Sequence, residues 1–223
     1  GQTFKTSLTD TLGEVKFSNG LAYRNLLNIR SGNYDFLQQH TTPDFLGFIG
    51  HDFFNGYVFK LDYLDKNVTF YKNTEARSLS RDYLDHEKVV AEIQFEIGKL
   101  PNVPIIDIKI DNVKILGTFD TGQNGFLQLD SISEQTLRHS GSVTTSGTDS
   151  AGDILLTVKN IKFRDKFQTS LKGLEQTSLE GTEVIRKAGN LSQANLMTIG
   201  YRFFSQYKTV WDYANKRIYI LEY

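Results

Sequence analysis

Lys114-Ile115-Leu116-Gly117-Thr118-Phe119-Asp120-Thr121-Gly122-Gln123-Asn124-Gly125-Phe126 is an apolar, strand-like run that ends in an acid, a hydroxyl residue and a glycine. A carboxylate directly after buried β-formers is badly placed for a solvated face and well placed at the floor of a cleft. Gly122 allows a tight turn beside Asp120, and Thr121 carries a hydroxyl with which to hold it. The competing reading of these three residues is a plain hairpin turn.

Working outward, a second landmark lies near the C-terminus. Thr198-Ile199-Gly200-Tyr201-Arg202-Phe203-Phe204 is followed by Val210-Trp211-Asp212-Tyr213 and by Lys216-Arg217-Ile218-Tyr219-Ile220. This landmark occurs twice. Ile49-Gly50-His51-Asp52-Phe53-Phe54, then Tyr57, Asp62, Tyr63 and Lys66, matches Ile199 to Phe204, then Tyr207, Asp212, Tyr213 and Lys216, at the constant offset 199 − 49 = 150. Upstream, Gly13-Glu14-Val15 echoes Gly152-Asp153-Ile154, and Leu21-Ala22-Tyr23-Arg24 echoes Ile161-Lys162-Phe163-Arg164. A unit this long predicts duplicated lobes and not a solenoid, whose period is a few tens of residues.

Composition bounds the function classes. The 223 residues are 39% hydrophobic with a formal net charge of −1, which gives no electrostatic reason to expect nucleic acid or a membrane surface as partner. No apolar run is long enough to span a bilayer, and no basic-then-apolar leader opens the chain. Cysteine is absent, which removes disulfides, thiol catalysis and thiolate metal sites. His40, His51, His86 and His139 have no short ligand spacing, so no metal site and no cofactor is expected. No Gly-x-Ser-x-Gly occurs to support a serine nucleophile. Asn67-Val68-Thr69 and Asn190-Leu191-Ser192 match glycosylation acceptors, a pattern common by chance. Sixteen Phe, eleven Tyr and β-branched runs favour sheet.

In chain order, residues 1 to 12 read as loop or an exposed hairpin arm, and 14 to 31 as a hairpin turning at Ser18-Asn19-Gly20. A loop with a helical piece near Phe36 follows, then a short helix at Phe53 to Tyr57 and a hairpin turning at Asp65-Lys66. Residues 72 to 87 are mixed in charge and form a partly helical connection. Val89 to Ile97, Asn102 to Ile110 and Val113 to Phe119 read as strands leading to Asp120. Phe126 to Leu129 reads as strand and Ser131 to Leu137 as a helix with Ser131 as cap and Glu134 completing a capping box. Ile154 to Phe163 alternates as a hairpin around Lys159-Asn160, and Phe167 to Leu174 gives a further strand. Asp62 and Asp212, repeated with Tyr63 and Tyr213, fall in hairpins and read as structural.

The run ending in Asp120-Thr121-Gly122, with Ile199-Gly200 at the right separation, resembles aspartic peptidases of the pepsin and retropepsin type over residues 88 to 223. The resemblance implies an all-β, bilobal protein of acid-protease-like barrels, bacterial and secreted or periplasmic. It divides the chain into residues 1 to 74 as the C-terminal part of a first lobe, 75 to 87 as the connection and 88 to 223 as a complete second lobe. It implies Asp120 as a catalytic residue, with Thr121, Gly122 and Gln123 as its supporting loop. It also implies a flap that covers bound peptide, built from Ser146, Gly147, Thr148 and Asp149 and, in the first lobe, Thr9 and Asp10. The substrate is a peptide or protein, hydrolysed by a water activated between two aspartates. The second aspartate belongs before residue 1, so the expected partner is an N-terminal fragment that completes the first lobe. Gln123 departs from the Ser, Thr or Ala usual after Asp-Thr-Gly, and points to the alternative of an inactive peptide-binding or structural pseudo-peptidase.

Overall fold

The computed structural model describes residues 6–18, 20, 22–33, 35, 38, 43, 50–164 and 166–223. The helical piece expected at Phe36 lies outside them. The chain divides into two compact units, Gly1–Asn55 and Gly56–Tyr223. The boundary therefore falls before the hairpin at 57–72, which the sequence assigns to the first lobe.

In the first unit, β1 (Thr6–Lys16) pairs antiparallel with β2 (Ala22–Gly32) as one long ribbon. The ribbon turns where expected, with Gly20 N–H donating to the Phe17 carbonyl at 3.0 Å. Tyr23 stacks on Phe53 with centroids 4.3 Å apart, and Phe17 meets Phe53 edge-on at 5.2 Å. Phe53 belongs to a short helix, His51–Phe54, and Tyr57 already starts the next strand.

The second unit contains two sheets. One has the order β4-β3-β14-β15-β5, from β3 (Tyr57–Asp62), β4 (Asn67–Lys72), β5 (Val89–Gln94), β14 (Lys208–Asp212) and β15 (Arg217–Leu221). Its centre makes the duplication visible in three dimensions. β3 pairs antiparallel with β14, and Lys60 lies opposite Val210, the residue 150 positions on. Leu61 opposite Thr209 and Phe59 opposite Trp211 are likewise exchanged by that offset. The two copies of the hairpin are thus related by a local two-fold axis through the Lys60–Val210 pair.

The other sheet runs β10-β11-β12-β9-β13-β8-β7-β6, and a further pairing of β11 with β7 closes six of its strands into a barrel. The members are β6 (Glu96–Ile97), β7 (Pro104–Ile110), β8 (Val113–Phe119), β9 (Gly125–Gln128), β10 (Val143–Thr148), β11 (Ile154–Phe163), β12 (Phe167–Gln176) and β13 (Leu196–Ile199). Alternation fills the interior: Ile106, Ile108 and Ile110 are buried along β7 while Asp107 is exposed between them. The fold class is all-β, as expected.

Two local expectations change. Ile154 to Phe163 is one strand and not a hairpin. Asn160 takes a left-handed φ of 58°, and the register slips between Val158 and Ile161, so this is a bulge within the strand. The bulge divides β11 between partners: its first half pairs with β10 and its second half with β7. The helix after β9 spans Ser131–His139 and is capped one residue earlier than predicted. Asp130 accepts from the N–H groups of Ile132 and Ser133, and the same bonds hold its carboxyl below the usual range. Glu134 binds Arg138 and Gln176 instead of closing a capping box.

The connection is helical, as expected, at Glu75–Ser80 and Asp82–Leu84. Its last residues anchor it to the two-fold sheet, where the Glu87 carboxylate accepts from Lys60 at 2.7 Å and from Lys208 at 2.6 Å. Burial pushes Glu87 up, but the Lys208 and Lys60 hydrogen bonds outweigh it and leave the carboxyl below its ordinary value.

Candidate active site

The Asp120 loop is built by a strand inserted between its two ends. β8 leads into the loop and β9 leads out, and the two do not pair with each other. β13 lies between them, parallel to β8 from Leu196–Leu116 to Ile199–Phe119 and antiparallel to β9 from Leu196–Gln128 to Ile199–Gly125. The Thr118 and Thr198 hydroxyls meet at 3.1 Å in the buried space below. Asn195 fixes the start of β13: its side-chain oxygen accepts from Asp130 N–H at 2.8 Å, and its amide donates to Ser133 Oγ and to the Lys114 carbonyl.

At the rim, Asp120 N–H donates to the Ile199 carbonyl at 3.0 Å, so the loop leaves the sheet at a defined point. The Asp120 carboxylate accepts the Gly122 N–H at 2.9 Å. The loop's outer side is held by Tyr201 N–H on the Gln123 carbonyl at 2.6 Å and Arg202 N–H on the Asn124 carbonyl at 3.2 Å. Gly200 makes that approach possible, because a Cβ there would stand 2.0 Å from the Gln123 carbonyl oxygen.

This geometry corrects the sequence-based picture in two details. Asp120, Thr121 and Gly122 are exposed at the barrel rim, where the sequence reading sets the carboxylate at the floor of a cleft. The turn is held by the Asp120 carboxylate itself, and not by the Thr121 hydroxyl. Gln123 contributes its backbone carbonyl, and its side chain is half-buried.

The proposed flap residues occupy a separate hairpin. Ser146, Gly147 and Thr148 end β10, which bulges at Gly147, and Asp149 organises the tip by accepting from the N–H groups of Ala151 at 2.8 Å and Asp153 at 2.9 Å. Among the described residues no hydrogen bond joins this hairpin to residues 120–123. Thr9 and Asp10 lie within strand β1, Thr9 opposite Ile29, in the other unit. No group of His, Asp and Glu capable of holding a metal occurs among the described residues, and no helix there is long and apolar enough to cross a membrane.

One contact with the Asp120 loop escapes the sequence reading. Tyr63, set aside with Asp62 as structural, donates its hydroxyl hydrogen to the Thr121 carbonyl at 2.9 Å. The repetition of Tyr63 as Tyr213 was the available signal.

No family model and no curated protein matches the chain. Among solved structures it is similar to a retropepsin-like aspartic protease from Rickettsia conorii, at 18% identity over 60% of this chain and 90% of that one, with a TM-score of 0.33. It is also similar to an aspartic proteinase from Irpex lacteus, at 11% identity over 97% of this chain and 82% of that one, with a TM-score of 0.43.

Proposed function

We propose that this chain belongs to an aspartic-type endopeptidase in which Asp120 is one of two catalytic carboxylates. The observation that carries the reading is the Asp120-Thr121-Gly122 loop, presented at the rim of a closed barrel and clamped by Ile199-Gly200. Two carboxylates close enough to share a proton cannot both ionise cheaply, so one acts as acid while the other, as base, activates a water for attack on the peptide carbonyl. The proton then reaches the leaving amine, and no covalent intermediate forms.

The duplicated Ile49-Gly50 supports a second loop of the same kind. Gly200 has the Gln123 carbonyl against it, whereas a Cβ at Gly50 would meet nothing within 4 Å among the described residues. The two-fold sheet gives the matching indication. β15 has β5 along its outer edge, but β4, its counterpart, has no strand on that side among the described residues. The segment bearing the second aspartate would add there as an antiparallel strand. It is supplied by sequence upstream of these residues or by a separate chain.

The test is cleavage of a mixed peptide library between about pH 3 and 7 by the complete protein and by Asp120→Asn. Loss of at least about a hundredfold in kcat is expected, and equal rates would remove Asp120 from the mechanism. Gln123 favours a second reading, a peptide-binding module without turnover. Peptides bound by the complete protein and recovered intact would establish it.

A further inference from the structure

Tyr63 follows β3 directly, and three contacts fix its ring and backbone. The ring stacks on Phe204 with centroids 5.5 Å apart and planes 10° from parallel, and it lies 5.8 Å from Tyr201. Its N–H donates to the Tyr223 hydroxyl at 3.3 Å, and that hydroxyl donates in turn to the Phe204 carbonyl at 2.8 Å. The Tyr63 hydroxyl is thereby aimed at the Thr121 carbonyl.

The Thr121 carbonyl and the Gly122 N–H belong to one peptide unit. That unit is planar, so its oxygen and its hydrogen point to opposite sides and turn together. Its N–H is the donor that the Asp120 carboxylate accepts at 2.9 Å, and its oxygen is the acceptor that Tyr63 holds at 2.9 Å. A hydrogen bond to the oxygen also polarises the amide and strengthens the N–H as a donor. We propose that Tyr63 is a positioning residue for Asp120, acting through the 121–122 peptide to orient and strengthen the hydrogen bond on its carboxylate.

Tyr63 remains a neutral donor throughout acidic and neutral pH. Burial pushes its hydroxyl up, the hydrogen bond to Thr121 draws it partly back, and the charges of Asp120, Tyr223 and Tyr201 push it up again, for a net rise. The catalytic consequence rests on the reading of Asp120 given above, whereas the relay rests on the geometry alone.

Tyr63→Phe keeps the stacked ring and removes one hydrogen bond, which makes it the sharpest test. In the complete protein, exchange of the Gly122 amide measured by NMR should quicken about tenfold, the worth of one such bond. Tyr213→Phe removes the repeat-related hydroxyl, which donates to the Asn102 carbonyl at 3.2 Å, and should leave Gly122 unchanged. For peptide cleavage, Tyr63→Phe should lower kcat about tenfold with KM unchanged. Unchanged Gly122 exchange overturns the relay. Quickened exchange with kcat intact overturns the positioning role. Quickened exchange in a protein that cleaves nothing even as wild type leaves the relay standing and removes the peptidase reading instead.

Discussion

Val68 and Ile218 occupy the same position in the two copies of the repeat, yet Val68 is 49% exposed and Ile218 is 0% exposed. The hairpins around them are otherwise alike. Asp62 accepts from Asp65 N–H at 2.9 Å, and Asp212 accepts from Asn215 N–H at 3.0 Å, 150 residues on. Lys66 and Lys216 turn both hairpins with left-handed φ values of 54° and 53°. What differs is the company each strand keeps. β15 lies between β14 and β5, whereas β4 has only β3 beside it among the described residues. The glycines repeat the contrast, since Gly200 supports a loop and Gly50 faces open space among the described residues. Burial here follows from what docks on a repeat, because local conformation is the same in both.

The largest effect expected from this contrast is at the glycines. Gly200→Ala sets a methyl against the Gln123 carbonyl and the Gly125 nitrogen, both backbone atoms, and should cost at least about 3 kcal/mol. Gly50→Ala, at a helix N-cap, should cost about 1 kcal/mol or less. Urea denaturation measures both, and equal losses would break the comparison. Next, Ile218→Ala should cost about 2–5 kcal/mol and Val68→Ala about 0.5 kcal/mol or less. A strand added along the β4 edge, as proposed above, should narrow the gap.

Lys60 sharpens the contrast at the two-fold axis, where its counterpart Val210 is apolar. Its ammonium and that of Lys208 share Glu87, so Glu87→Gln leaves two neighbouring cations in a partly buried site and should cost about 3 kcal/mol. The pH dependence follows from the sign of each shift. Glu87 is lowered in the folded protein, so its contribution is present above its ordinary value of 4.5 and lost as pH falls below it. Lys60 is raised despite its burial, because the Glu87 and Tyr71 hydrogen bonds outweigh that cost. Its contribution is present below 10.5 and lost above it. Thermal melts from pH 3 to 6 should show Glu87→Gln with the shallower acid slope.

Smaller again is the difference between Asp212→Ala and Asp62→Ala. Asp212 is buried and also accepts from Asn215 Nδ2 at 2.8 Å and the Tyr83 hydroxyl at 3.2 Å, so its loss should cost about 2–3 kcal/mol against about 1 kcal/mol for Asp62. Smallest are Lys66→Gly and Lys216→Gly, which relieve a left-handed residue and should each stabilise by about 1 kcal/mol or less, equally in both hairpins. Denaturant midpoints resolve both pairs. Unequal gains for the two lysines would show that the turns are not equivalent.

Much of this was legible in the sequence for physical reasons. Period-two alternation placed β3, β7 and β8, and Asp-Lys marked a turn, because those signals act between neighbours in the chain. The 150-residue offset was equally legible, and the sheet register reproduces it residue for residue. The bulge in β11 was misread as a hairpin because Lys159-Asn160 has turn chemistry, and only the competing claims of β10, β12 and β7 decide whether the chain turns back. Tyr63 was missed as a site residue for a related reason. Its partner is a backbone carbonyl 58 residues away, and a carbonyl leaves no trace in the identity of Thr121.

The insertion of β13 between β8 and β9 also sets the order of events during synthesis. Residues 113–128 leave the ribosome before the strand that separates them in the folded sheet, with the Asp120 loop lacking its later contacts. The contacts that shape the loop, from the Ile199 carbonyl and from the N–H groups of Tyr201 and Arg202, arrive roughly eighty residues later. At typical elongation rates that delay is several seconds, during which the apolar edges of β8 and β9 are open to other chains. The loop therefore takes its final shape only once residues 199–202 have been made and have docked against it.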